Sequence, residues 1–183
     1  MLKAFVTIFW VYWVSLAQAQ THPEPVDRAV ALVDNAVVTA SDLSVHVSLG
    51  AIDKSFVPIL NGNPDTVLED AIQATVIQAM AGRISVYQPN PAQVRSRVEA
   101  YRSHWASKDS WRQHLLVLGL NEKSILRAFE KRLVIERVVS RTLGTPEEAT
   151  ETNWEQQFQT WIAREREGVR VRLVPFTSQP ARP

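Results

Sequence analysis

The alternation Val169-Arg170-Val171-Arg172-Leu173-Val174 near the C-terminus constrains the fold of this 183-residue chain more than any other segment. Apolar residues alternating with charged ones make a strand with one wet face. Such a strand needs a partner, because a lone strand leaves a row of backbone N–H and C=O groups unpaired. The other β-prone runs, Ala29-Val30-Ala31-Leu32-Val33 and Ala36-Val37-Val38-Thr39, lie at the opposite end of the chain. Asp34-Asn35 between them suits the positive φ angles of a tight hairpin turn. The two ends are therefore expected to meet in one small sheet, with the intervening chain forming helices beside it.

Apolar periodicity divides that interval. Ser41 is expected to cap a helix from Asp42 to Leu49, with Gly50 as its stop. Residues 51–64 hold Ile52, Phe56, Val57, Ile59 and Leu60 among Pro58, Asn61, Gly62, Asn63 and Pro64, which reads as a loop with an apolar centre. Asp65 or Thr66 caps the next helix. Its apolar Val67, Leu68, Ala71, Ile72, Ala74, Val76, Ile77 and Met80 cover most of its circumference, as expected in the middle of a bundle. Asn90 and Pro91 open a helix with Val94, Val98, Tyr101 and Trp105 on one stripe. Ser107 caps a shorter helix with Trp111, Leu115 and Leu118 on one face, ended by Gly119. Asn121 caps the longest, which runs to about Thr142 with Ile125, Leu126, Phe129, Leu133, Val134, Val138 and Val139 inward. After a polar connector, Trp154, Phe158, Trp161 and Ile162 mark a last helix that Gly168 ends. The expected fold is mainly α: a bundle of about six helices with a small β-sheet formed by the N-terminal hairpin and the C-terminal strand.

The N-terminus reads as an export signal. Lys3 is followed by an uncharged apolar stretch from Ala4 to Leu16, and Ala17-Gln18-Ala19 has the small-x-small form of a cleavage site. A membrane anchor is the competing reading, but the apolar stretch is shorter than the ~20 residues a spanning helix needs, and it ends in Gln18, Gln20 and Thr21. Cleavage after Ala19 leaves residues 20–183 as one domain, with residues 150–176 packing back on the hairpin, and no stable membrane insertion is expected. The chain has no cysteine, so an exported domain of this size rests on packing alone. Loss of Lys3 brings 20 basic residues to 19, against 19 acidic ones, and a neutral chain is a poor match for nucleic acid. Arg164, Arg166, Arg170 and Arg172 are interleaved with Glu165 and Glu167 and read as solvated faces.

Catalytic chemistry has no visible candidate. The four histidines, at 22, 46, 104 and 114, lack the spacing of a metal site, and neither a nucleophile elbow nor a glycine-rich phosphate loop is present. No cofactor and no enzyme activity are expected. The unusual content is aromatic: Trp105, Trp111, Trp154 and Trp161 all fall on inward stripes, which is read either as core packing or as the wall of a groove. The candidate peptide-binding residues are Phe56, Leu60, Tyr101, Trp105, Trp111 and Leu115, on the apolar loop and near helix ends.

The segment Val30-Ala-Leu-Val-Asp-Asn-Ala-Val-Val-Thr-Ala-Ser-Asp-Leu43, directly after an export signal, resembles the opening of the SurA-type periplasmic chaperones. Leu68-Glu69-Asp70-Ala71-Ile72 with Ile77-Gln78, Arg127-Ala128-Phe129-Glu130-Lys131 with Ile135, and Trp161-Ile162-Ala163-Arg164-Glu165-Arg166 leading into Val169–Leu173 are similar to later helices and the closing strand of that family, in the same order. Ala36 stands where the family pattern has a turn glycine, and residues 51–64 have no counterpart. The family carries parvulin-type isomerase domains between its long helix and its C-terminal helix. Here that interval, Gly144 to Asn153, is too short for a folded domain. The resemblance implies the chaperone module alone: an ATP-independent holdase in the periplasm whose partners are unfolded or extended polypeptides, outer-membrane protein precursors above all. The alternative is an adaptor that uses the same fold to bind one specific partner in an envelope or export complex.

Overall fold

The computed structural model describes residues 27–82, 84–148 and 151–175, so the export signal and its cleavage site at Ala19 lie outside the described residues. The fold is mainly α, with six helices and one three-stranded antiparallel sheet. Strands β1 (Ala29–Val33) and β2 (Ala36–Thr39) form the hairpin, and β3 (Val171–Leu173) pairs with the other side of β1, giving the order β2-β1-β3. Ala31 stands opposite Leu173 and Val33 opposite Val171. The pairing continues past β3, where the Val174 N–H donates to the Val30 carbonyl at 2.9 Å. At the hairpin tip Asp34 takes a positive φ of 51°. Its N–H donates to the Arg170 carbonyl at 2.8 Å, and its carboxylate accepts from the Arg170 N–H at 2.9 Å. The two chain ends meet as the lone C-terminal alternation requires. Leu173 is nevertheless 59 % exposed: it shares a face with buried Ala31 but stands at the outer margin of the sheet.

Helix α1 (Ala40–Ile52) begins earlier and ends later than its local signals suggest. Thr39, not Ser41, is the N-cap. Its hydroxyl accepts from the Asp42 N–H while the Asp42 carboxylate accepts from the Thr39 N–H, a reciprocal box, and Ser41 lies inside the first turn. Gly50 does not stop the helix. It lies inside it, buried, where the segment Leu60–Gly62 crosses α1 at backbone contact. That segment belongs to the 51–64 stretch, which contains a 3₁₀ turn at Pro58–Leu60 and buries Val57, Ile59 and Leu60 under the bundle.

Helix α2 (Val67–Ala81) is the central helix, packed against α1, α5 (Glu122–Leu143), α6 (Glu151–Glu167) and the sheet, with Met80 exposed at its end. Thr66 is its N-cap by position, but its hydroxyl donates to the Asp70 carboxylate at 2.7 Å and caps no backbone amide; Asp65 does not cap it either. Asn90, Ser107 and Asn121 cap α3 (Pro91–Arg102), α4 (Lys108–Val117) and α5 through their side chains as expected. Helix α3 ends three residues before Trp105, which therefore sits in the connector to α4.

The apolar residues form two clusters. One joins the sheet, the 3₁₀ turn, α2, the C-terminal half of α5 and α6, whose Trp154, Phe158, Trp161 and Ile162 are all buried in it. The other joins α3, α4, the N-terminal half of α5 and Leu49 of α1. A polar hub lies where they meet. Arg132 of α5, 5 % exposed, donates from Nε to the Asp53 carboxylate at 3.1 Å and from Nη1 to the Leu60 carbonyl at 2.9 Å. Arg97 of α3 pairs with the same Asp53 carboxylate, and Ser55 Oγ donates to Glu136 at 2.7 Å. Burial pulls the Arg132 guanidinium below its usual range while Asp53 pulls it back. An arginine stays charged in either case, so the pair is held by mutual neutralisation.

Candidate functional site

A cleft of about 590 Å³ opens between β2, α1, α2 and the first turns of α5. Ala71 and Ala74 of α2 form part of its lining, and their small side chains leave room between α1 and α5 that larger residues would fill. Val45 and Leu49 line the α1 side. Val37 of β2 stands on the rim, 52 % exposed. Arg127 and Lys131 line the opposite rim, one helical turn apart on α5, and both are exposed. Arg132 is the third cation of the lining, already held by Asp53. The arrangement is an apolar trough with a strand edge on one side and positive charge on the other.

His46 closes part of the α1 wall. Its Nε2 lies 2.6 Å from the Ile59 carbonyl, which can only accept, so Nε2 carries the proton. Burial lowers its pKa, the bond to Ile59 works against that, Arg132 lowers it further and Asp70 raises it. His114 is also lowered by burial. Both histidines therefore take up a proton less readily in the folded protein than in an unfolded chain, where an imidazole does so near 6.5. A group with a depressed cationic pKa supports folding above the unfolded value and withdraws that support as pH falls through the folded one. The protein is accordingly expected to lose stability on acidification from pH 7.5 to 5.5, His46 contributing more than the less buried His114. Urea unfolding across that range checks this. The His46→Gln variant keeps an N–H donor for Ile59 and should show a shallower slope; an unchanged slope would remove His46 from the account.

The six residues read from the sequence fall into two groups. Tyr101, Trp111 and Leu115 are buried in the second cluster. The Tyr101 hydroxyl lies 2.9 Å from His114 Nε2, and Trp111 Nε1 donates to Glu122 at 3.0 Å, so their polar atoms are satisfied inside the protein. Trp105 is half-buried and stacks on the His114 ring at 4.2 Å. Leu60 is buried in the main cluster, and Phe56 packs edge-on against Trp154 at 5.8 Å. Of the six only Leu60 lines the cleft. The residues that shape it, Val37, Ala74, Arg127 and Lys131, carry no aromatic signal. Their one trace in the sequence is the pairing of an alanine-rich apolar helix with cations four residues apart on another.

Among the described residues no group of histidines and carboxylates could hold a metal ion, and no helix is long and apolar enough to cross a membrane. No protein-family model matches the chain, and no curated protein matches it in sequence.

Proposed function

We infer that this chain is an ATP-independent holdase of the periplasm, a single chaperone module that keeps unfolded outer-membrane and other exported proteins soluble. The observation that carries this reading is the open cleft beside a free strand edge, a shape that receives extended polypeptide without demanding one sequence. The ordered resemblance of its helices and closing strand to the SurA-type chaperones supports it. Binding draws on apolar burial at roughly 25 cal/mol per Å², offset by the cost of ordering the client, so affinity stays modest and release needs no nucleotide.

The test is light scattering from an outer-membrane β-barrel protein diluted out of urea. The wild-type chain should suppress aggregation in proportion to its concentration without ATP. The Val37→Ser variant, altered at an exposed rim residue, should suppress it severalfold less while melting as the wild type does. Undiminished scattering in the presence of excess wild-type protein overturns the reading.

A second reading, an adaptor for one specific folded partner, is favoured by Leu116 and Val117. These lie on α4, 70 % and 75 % exposed, and outside the cleft. An adaptor suppresses no aggregation, so the same assay separates the two.

A further inference from the structure

We propose that the cleft selects acidic extended segments, which add to the free edge of β2 as a fourth strand and place their carboxylates on Arg127 and Lys131. This rests on the holdase reading and names the class of segment that the site prefers. Among the described residues β2 is a terminal strand of the sheet and pairs only with β1, so its outer side offers backbone groups to an incoming strand. The cleft opens beside that edge, since Ala36, Val37 and Val38 all line it.

Charge decides which strand fits. Arg127 and Lys131 have no carboxylate partner among the described residues. The acid in the lining is Asp42, whose Oδ2 accepts from the Thr39 N–H and hydroxyl in the α1 cap and which makes no ion pair with either cation. The rim on the α5 side thus carries two cations in no ion pair among the described residues, facing an apolar trough. Side chains one helical turn apart are separated by about 5–6 Å at Cβ. Same-face side chains of an extended strand repeat every ~6.6 Å, so two acidic residues separated by one position match that spacing. The apolar residues of such a segment would enter the trough. A lysine-bearing strand of the same shape would bring like charges together.

Fluorescence anisotropy tests this with three fluorescein-labelled peptides: alternating valine and glutamate, the same length of alternating valine and lysine, and the valine–glutamate peptide N-methylated at alternate amides. The wild-type protein is expected to bind the glutamate peptide about tenfold more tightly than the lysine peptide. Raising the salt concentration should narrow the difference. N-methylation should abolish most of the binding, because it removes the donors a fourth strand uses. The double variant R127E/K131E changes only exposed side chains, so it should melt as the wild type does and reverse the preference. Equal affinity for the two charged peptides, a preference that survives the charge reversal, or full binding of the N-methylated peptide each overturns the proposal. Aggregation suppression is read on the same double variant. If it persists while the peptide preference is absent, the acidic specificity fails and the holdase reading stands. If the wild type neither binds peptide nor suppresses aggregation, both fail.

Discussion

Replacing Gly50 with alanine is expected to be among the most damaging single substitutions in the chain. A Cβ at this position would lie 2.3 Å from the Gly62 nitrogen, 2.4 Å from the Leu60 carbonyl oxygen and 2.5 Å from the Asn61 carbonyl carbon. All three are backbone atoms, so no side chain can swing aside; α1 and the crossing segment have to part. Parting them moves Leu60, whose carbonyl receives Arg132, and disturbs the polar hub and the cleft wall together. The cost is expected at or above the top of the usual overpacking range, about 3 kcal/mol or more, against a total stability of some 5–15 kcal/mol. Urea unfolding measures it. Gly168→Ala is the control: its added Cβ would meet nothing nearer than 3.9 Å, and its midpoint should move by no more than ~0.5 kcal/mol equivalent. A Gly50→Ala variant with a wild-type midpoint would mean the crossing is not as tight as described.

Ending the chain after Glu148 is expected to abolish the cooperative melt altogether. The truncation removes α6 and β3, and with them Trp154, Phe158, Trp161 and Ile162 from the main cluster. Losing one large buried aromatic side chain costs ~3–5 kcal/mol, so losing three with an isoleucine exceeds what a domain of this size holds in reserve. The main cluster would lose one of its walls, and the side of β1 that β3 covers would be left open. Thermal circular dichroism checks this: helical signal without a sigmoidal transition, or loss of soluble protein, is the expected outcome. A truncated chain that melts within a few degrees of the full one would show that the C-terminal unit is an appendage.

The elements legible in the sequence are those whose signals are local or whose logic is forced. Asn90, Ser107 and Asn121 cap their helices because a side-chain oxygen beside the first free amides is a local matter. The strand at 171–173 joins the N-terminal hairpin because the other β-prone runs lie there, and within the hairpin it pairs with β1. What the sequence did not disclose depends on distance. Gly50 carries the mark of a helix stop, yet its missing side chain serves a segment arriving from residues 60–62. Thr39 and Ser41 both offer a hydroxyl, and it is Thr39 that caps the helix, in a box that Asp42 completes. Trp105 continues the i, i+4 stripe of α3, but the helix ends at Arg102 before reaching it. The candidate site divided for the same reason. An aromatic ring that fills a core and one that walls a groove have the same chemistry, and burial is a property of the assembled fold. The cleft arises from volume that Ala71 and Ala74 do not occupy, and absent volume has no residue to announce it.

The central position of β1 has a consequence in time. Its two neighbours come from opposite ends of the chain, so a polypeptide made from the N-terminus onward holds the hairpin and all six described helices before the strand at 171–173 exists. Individual helices and the hairpin form within microseconds, but β1 waits until residues 171–173 have been made before its second side is covered. The rate of reaching the native state is then set by a search between distant ends, not by how fast its helices wind. A mostly helical protein of this design folds at the pace of its small sheet.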